Sequence, residues 1–339
     1  MSDEVATNAT PVESIEDVKV QNIRPAMFAV AFGLSVAGVL LWLTAGRHHE
    51  ADHRIVSIAV SSSGRLIAAG TRIGSITLLD SDKPGQPQRI NVSSGELNDL
   101  QFSPDERFLA IANLGLTVHS VHDLSLSRNL RSDDRNYGTV RFSSDGRRLL
   151  TVTGSAAIEV LDVDSGKTRL TVCCSTIYGE AAFRPDGSMI VSAGHWPALW
   201  DAQSGELVRR LTGDREFQTF RPIVFDLPRG WILMGSQDGR VYGWDVRTGE
   251  HTATSRGQAG YVDTIAVLQD SPWIAYSSLG APLRLWNPDN GTERPLGPTP
   301  ATSNLVAIPP HSILFGTEAG FVELWDTTTG AMSRQYDLR

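Results

Sequence analysis

The stretch TVRFSSDGRRLLTVTGSAAIEVLDVDSGKTRLTV, Thr139 to Val172, decides the architecture. Four short runs rich in β-branched and aliphatic residues stand in it: Thr139–Phe142, Arg148–Val152, Ile158–Leu161 and Thr168–Val172. Runs of this length and composition, bounded by Ser, Asp and Gly, read as strands. Between the first two lies SSDGR, Ser143–Arg147. An Asp there bonds back to its own backbone and a Gly takes a positive φ, so the segment is a tight turn between paired strands.

The same unit recurs along the chain. Its third run ends at Leu79-Asp80, His122-Asp123, Leu161-Asp162, Trp200-Asp201, Trp244-Asp245, Trp286-Asn287 and Trp325-Asp326, the second members 43, 39, 39, 44, 42 and 39 residues apart. The first turn also repeats, as SSSGR at Ser61–Arg65, SPDER at Ser103–Arg107 and RPDGS at Arg184–Ser188, and degrades to DLPRG at Asp226–Gly230 and LQDSP at Leu268–Pro272. A fixed period near forty residues marks a repeat architecture in which each unit buries its faces against its neighbours.

These residues resemble the WD40-repeat β-propeller family, from about Arg54 to Arg339. The resemblance implies an all-β, seven-bladed β-propeller of four-stranded antiparallel blades around a central channel. It places Trp200, Trp244, Trp286 and Trp325 between blades, each burying on the order of 200 Å². Two departures stand out. The Gly-His pair that usually opens a repeat is absent, and only Ser236-Gln237-Asp238-Gly239 forms the full turn before a third strand. The family's polar network between His, Ser, Asp and Trp is therefore mostly missing, and apolar packing must hold the blades. The last unit also supplies its own outer strand, Ala331–Leu338, so closure by packing of blade one against blade seven is expected.

Composition sets outer limits. The chain has 339 residues, 41% hydrophobic and 20% charged, which excludes wholesale disorder. Its formal charge of −8 argues against nucleic acid as a partner. Cys173 and Cys174 are adjacent and cannot form a disulfide framework.

The N-terminus reads differently. Residues 1–25 form a disordered acidic tail. Ala26–Ala45 (AMFAVAFGLSVAGVLLWLTA) then runs for 20 residues without a charge. A helix of that length spans about 30 Å, the hydrocarbon core of a bilayer. The long acidic start and the length of the apolar run argue against a cleaved signal peptide. The chain thus divides into the tail (1–25), one transmembrane helix (26–46), a juxtamembrane linker (47–53) and the propeller (54–339). Lys19 and Arg24 before the span nearly balance Arg47 and Arg54 after it. The reading adopted leaves the short tail inside and the propeller on the non-cytoplasmic side. Ala29, Gly33 and Ala37 fall four apart on one helix face and would permit a homodimer in the membrane.

Chemistry is sparse. His49-Glu50-Ala51-Asp52-His53 matches the H-E-x-x-H pattern that on a helix binds zinc. It abuts the first strand and lacks a third ligand at a recognisable spacing, so His49 and His53, with His48, are weak metal candidates in a polar linker. Glu318, Asp238 and His195 sit in turns between second and third strands, where a propeller enzyme could carry acids or histidines. They form no ring of one residue type. No cofactor motif is present.

A further periodic feature is aromatic. Tyr137, Tyr178, Phe220 and Tyr261 begin inner strands 41, 42 and 41 residues apart, with Arg135, Arg221 and Arg256 nearby. The family's usual residue at this position is a branched aliphatic, and the position lies near the channel mouth, on the face that commonly binds peptides. The aromatics therefore read either as a recognition platform or as strand-start packing residues. The expected function is a membrane-anchored, non-catalytic scaffold for a protein or peptide partner. The alternative is a propeller enzyme or sensor that takes a small ligand at the mouth.

Overall fold

The computed structural model describes residues 53–338 apart from 81, 84–85, 93–95, 133–134, 155–156, 174–179, 195, 213–219, 298–300 and 302, with backbone alone at 173, 220 and 221. The apolar run Ala26–Ala45, the acidic tail, the small-residue stripe and His49 lie outside the described residues. Among the described residues no helix is long and apolar enough to cross a membrane.

Strands form where the repeat predicted them. In the unit around Ser143–Arg147 they run Tyr137–Phe142, Arg148–Thr153, Ala157–Asp162 and Thr168–Cys173. Each pairs antiparallel with the next. The described residues build seven such four-stranded sheets, each from strands consecutive in the chain. Among the described residues no strand crosses from one sheet into another.

The period of two explains why the sheets stack. In the second strand of blade three, Leu149 packs with blade-two residues such as Leu116 and Val118. Its neighbour Leu150 packs on the other side with Phe183 and Ile190 of blade four. Ile232 and Leu233 in blade five, and Ile313 and Leu314 in blade seven, divide the same way. Both faces of every blade are apolar, and seven clusters fill seven junctions. At about 25 cal/mol per Å² of apolar area removed from water, these seams are the main cohesive force. Trp244, Trp286 and Trp325 are buried in three of them and Trp200 is half-buried in a fourth. Their indole N–H groups find separate acceptors: Ser192 Oγ for Trp200 (2.9 Å), the Thr212 carbonyl for Trp244 (2.7 Å) and Glu323 Oε2 for Trp325 (2.9 Å).

Polar bonds also pass from blade to blade on the inner strands. Leu100 N–H donates to Ser57 Oγ (3.1 Å), Val140 N–H to Asp99 Oδ2 (3.0 Å) and Leu305 N–H to Thr264 Oγ1 (2.6 Å). The same bond closes the ring, from Ile58 N–H of blade one to Asn304 Oδ1 of blade seven (2.7 Å). Asn304 Nδ2 also donates to the Ile58 carbonyl (2.6 Å). Ile55 N–H reaches the Thr317 carbonyl (3.3 Å), and Ile55, Ile58 and Ala69 pack on Leu314, Val322 and Leu338. The ring therefore closes by face packing. Since Ile58 is fully buried, Asn304→Ala should strand both of its backbone groups and cost about 2 kcal/mol. A urea midpoint unchanged from the wild type would refute this.

The turns into the outer strands share one chemistry. Asp162, Asp201, Asp245 and Asp326 accept through Oδ1 from Ser165, Ser204, Thr248 and Thr329 N–H at 2.7–2.8 Å. Arg169 hydrogen-bonds to Asp162 and, with the turn, depresses its pKa; turn N–H groups depress the others below the ordinary 3.8. A carboxylate with a depressed folded pKa stabilises the fold above its unfolded value and loses that contribution as pH falls through the folded one. The melting temperature should thus fall as the pH is lowered below about 4. Asn at all four positions should flatten that decline; an equally steep acid decline in that variant would contradict the assignment.

Candidate functional site

A strand that begins at one end of a blade is followed by one that ends there, so inner-strand starts and the turns between second and third strands share one face. Backbone bonds join them across blades: Tyr137 N–H donates to the Asn113 carbonyl (2.9 Å) and Leu97 N–H to the Arg72 carbonyl (3.3 Å). On this face the channel opens as a cavity of about 660 Å³. Its lining includes Val56, Asn98, Gly138, Glu180, Pro222, Tyr261 and Asn304, one residue from each of the seven blades.

The charges inside follow from strand geometry. In Tyr137–Phe142, Val140 and Phe142 enter the seam with blade two, while Arg141 between them turns the other way and lines the cavity. Its guanidinium pairs with Asp99 of blade two and with Glu180 of blade four (3.2 Å). Its Nη1 also donates to the Val140 carbonyl (2.8 Å). Burial opposes the charge of Arg141, but the Asp99 and Glu180 carboxylates outweigh it and raise its pKa. Asp99 Oδ1 accepts from Leu100 N–H (3.0 Å) and, more weakly, from Ser57 Oγ (3.4 Å). One ion triad thus spans three blades. Asp263 of blade six also lines the cavity.

The sequence candidates are distributed unevenly around this mouth. Tyr261 lines the cavity and is 37% exposed. Tyr137 is fully buried in the seam between blades two and three, where its ring contributes to packing. Arg135 lies 5.9 Å from the Tyr137 ring centroid and pairs with Glu159 (3.1 Å). Phe220 opens the inner strand of blade five, followed by Arg221. Tyr178 lies outside the described residues. Of the turn acids, Glu318 pairs with Arg54 at the seam of blades one and seven (2.5 Å), and Asp238 accepts from the Tyr242 hydroxyl (2.7 Å). Neither lines the cavity, and His195 falls outside the described residues. His53 is exposed and precedes the first strand; no helix carries it. Among the described residues no three His, Cys, Asp or Glu side chains cluster as metal ligands would.

Asp99, Arg141, Glu180, Asp263 and Asn304 were not singled out by sequence reasoning. A signal was available: polar residues recur within otherwise apolar inner strands at nearly the repeat spacing, as at Ser57, Asp99, Thr139, Thr264 and Asn304.

No family model matches the chain. It is 22% identical over 158 residues to the WD repeat-containing protein SL1-17 of Schistosoma mansoni, covering 45% of this chain and 52% of that protein. It is 25% identical over 216 residues to the LEC14B homolog of Prunus armeniaca, covering 55% and 45%. It is 24% identical over 156 residues to the pre-mRNA-processing factor 17 of Homo sapiens, covering 44% and 26%. The matched stretch spans about half the length of the first two of these relatives. Seven consecutive four-stranded blades, the recurrent turns and these similarities together support the WD-repeat β-propeller family.

Proposed function

We propose that this protein is a membrane-anchored, non-catalytic scaffold whose protein or peptide partner docks on the channel-mouth face. The observation that carries the reading is the cavity itself. All seven blades contribute to one opening, so a segment seated there touches every repeat. Its Asp99, Arg141 and Glu180 are committed to one another, which suits a rigid recognition surface better than proton transfer. The uncharged run Ala26–Ala45 supplies the anchor. A cavity of this volume also falls in the range of small-ligand sites, which keeps a ligand sensor as the second reading.

Photo-crosslinking in native membranes tests the proposal. A benzophenone amino acid at Tyr261 should capture a protein that the same group at Leu126 or Leu227, in turns of the opposite face, does not. Alkaline carbonate should release residues 46–339 expressed alone while the full chain stays with the membrane. Crosslinks from the opposite face only would overturn the docking reading, and release of the full chain would overturn the anchor.

A further inference from the structure

We propose that the mouth face of the propeller rests on the bilayer, with exposed apolar side chains of its turns entering the lipid interface. The inference rests on the reading of Ala26–Ala45 as the membrane anchor and adds what the propeller's rim touches. Lipid meets the rim, and a partner segment reaches the cavity inside it from the membrane side.

The first observation is the rim. Ten large hydrophobic side chains are exposed among the described residues, and five of them stand on this one face. Ile73 (53% exposed), Leu114 (41%), Trp196 (46%) and Leu279 (61%) occupy the same turn, between second and third strands, in blades one, two, four and six. Tyr261 joins them from the start of blade six. A turn needs Gly, Asn, Asp or Ser for its geometry, not isoleucine, leucine or tryptophan. Blade five shows the ordinary choice. Asp238 there holds the place of Ile73: each precedes a Gly of positive φ, +77° and +84°, whose N–H donates to the Ser236 or Thr71 carbonyl (3.2 and 3.0 Å). The apolar residues are therefore not required by the turns, and apolar side chains gathered on one exposed face mark a contact surface.

The second observation is where the chain enters. Ile55 opens the inner strand of blade one, and inner strands start on the mouth face. Seven residues, 47–53, separate that strand from the segment 26–46 that carries the uncharged run. Fully extended, seven residues span at most about 25 Å. A run seated in a bilayer therefore delivers the chain to this face within that distance of lipid. The chemistry of the rim fits such a neighbour. Ile73, Leu114 and Leu279 are aliphatic, as the buried face of an interfacial element is. The rings of Trp196 and Tyr261 combine an apolar body with a polar group, which suits the headgroup level. Charges on the rim approach lipid already paired: Arg54 with Glu318, Arg72 with Glu96 (2.7 Å) and Arg135 with Glu159.

The test is reconstitution of the full chain in phosphatidylcholine vesicles. In a Cys173→Ser/Cys174→Ser background, a nitrobenzoxadiazole fluorophore is attached at Leu114→Cys on the rim or at Leu126→Cys in a turn of the opposite face. Phosphatidylcholine spin-labelled near the glycerol end of its acyl chains should quench the label at Leu114→Cys about twofold and leave that at Leu126→Cys unchanged. Inserting about twenty Gly/Ser residues after Asp52 slackens the tether. The quenching should persist, because the rim itself holds the lipid. Adding Ile73→Asp/Leu279→Asp to the lengthened chain should abolish it. Blade five already carries Asp at the place of Ile73, so the fold tolerates that residue, and a melting temperature matching that of the lengthened parent checks this. Equal quenching at the two labels, loss of quenching on lengthening alone, or quenching that survives Ile73→Asp/Leu279→Asp would overturn the proposal. A full chain that fails to float with the vesicles would remove the anchor and this inference together. A chain that floats with its rim label unquenched would remove only this inference and leave the rim to a protein partner.

Discussion

Replacing Arg141 with methionine should lower the free energy of unfolding by about 3 kcal/mol, the lower end of the range for breaking a buried ion pair. The Arg141 side chain is 27% exposed, and its partners Asp99 and Glu180 are 12% and 13% exposed. Methionine fills much of the volume but removes the guanidinium that joins the Asp99 and Glu180 carboxylates of different blades. Asp99 also holds Val140 N–H and Leu100 N–H, so any move to reach solvent disturbs the inner strands of blades two and three. Equilibrium urea unfolding reads the loss. Asp99→Asn/Arg141→Met/Glu180→Gln removes all three charges and should recover part of it, because desolvating the ions offsets much of their attraction. A triple variant as unstable as Arg141→Met would show that the penalty comes from packing.

A second large effect is expected at Gly239. Its φ is +77°, and a Cβ there would stand 1.8 Å from the Gln258 carbonyl oxygen and 2.7 Å from that of Gly260. The neighbours are backbone, so they cannot rotate away. Gly239→Ala should cost about 3 kcal/mol: about 1–2 for the left-handed conformation and the rest for displacing residues 258–260. Gly230 offers the internal comparison. Its φ is +69°, with nothing within 4 Å of the added carbon. Gly230→Ala should therefore show the conformational part alone, about 1–2 kcal/mol. Equal losses in the two variants would rule out the steric contribution at Gly239. Because Gln258 N–H also donates to the Gly239 carbonyl (3.0 Å), the substitution disturbs the mouth face beside Tyr261.

Much of the fold was legible because repeat proteins write tertiary contacts into local sequence. Leu149 and Leu150 are adjacent, and a strand sends adjacent side chains to opposite faces, so an apolar pair already implies a neighbour on each side. The turn Ser143–Arg147 lies where expected: Ser143 Oγ donates to Asp145, Arg147 N–H donates to Asp145 Oδ1 (3.0 Å), and Gly146 has φ +69°. The polar bonds that pass from blade to blade were not legible. Side chains such as Ser57, Asp99, Thr264 and Asn304 hold the next blade's backbone, and nothing local distinguishes them from other polar residues of a strand.

The candidate site shows where local reading stops. Tyr137 and Tyr261 occupy corresponding places in the repeat, yet one is fully buried and the other is 37% exposed at the cavity. The difference is one of register. Tyr137 is inside its strand, paired with Thr153 across an irregularity, while Tyr261 precedes the strand that begins at Val262. The amino-acid sequence by itself determined the number of blades, their strand order and their seams, because a period of two within strands and of about forty between them is a local property. The closed ring decided the mouth. Asp99, Arg141 and Glu180 are 42 and 39 residues apart in the chain and meet only when three blades converge on one axis. Asp263 joins their cavity from blade six because the ring is closed.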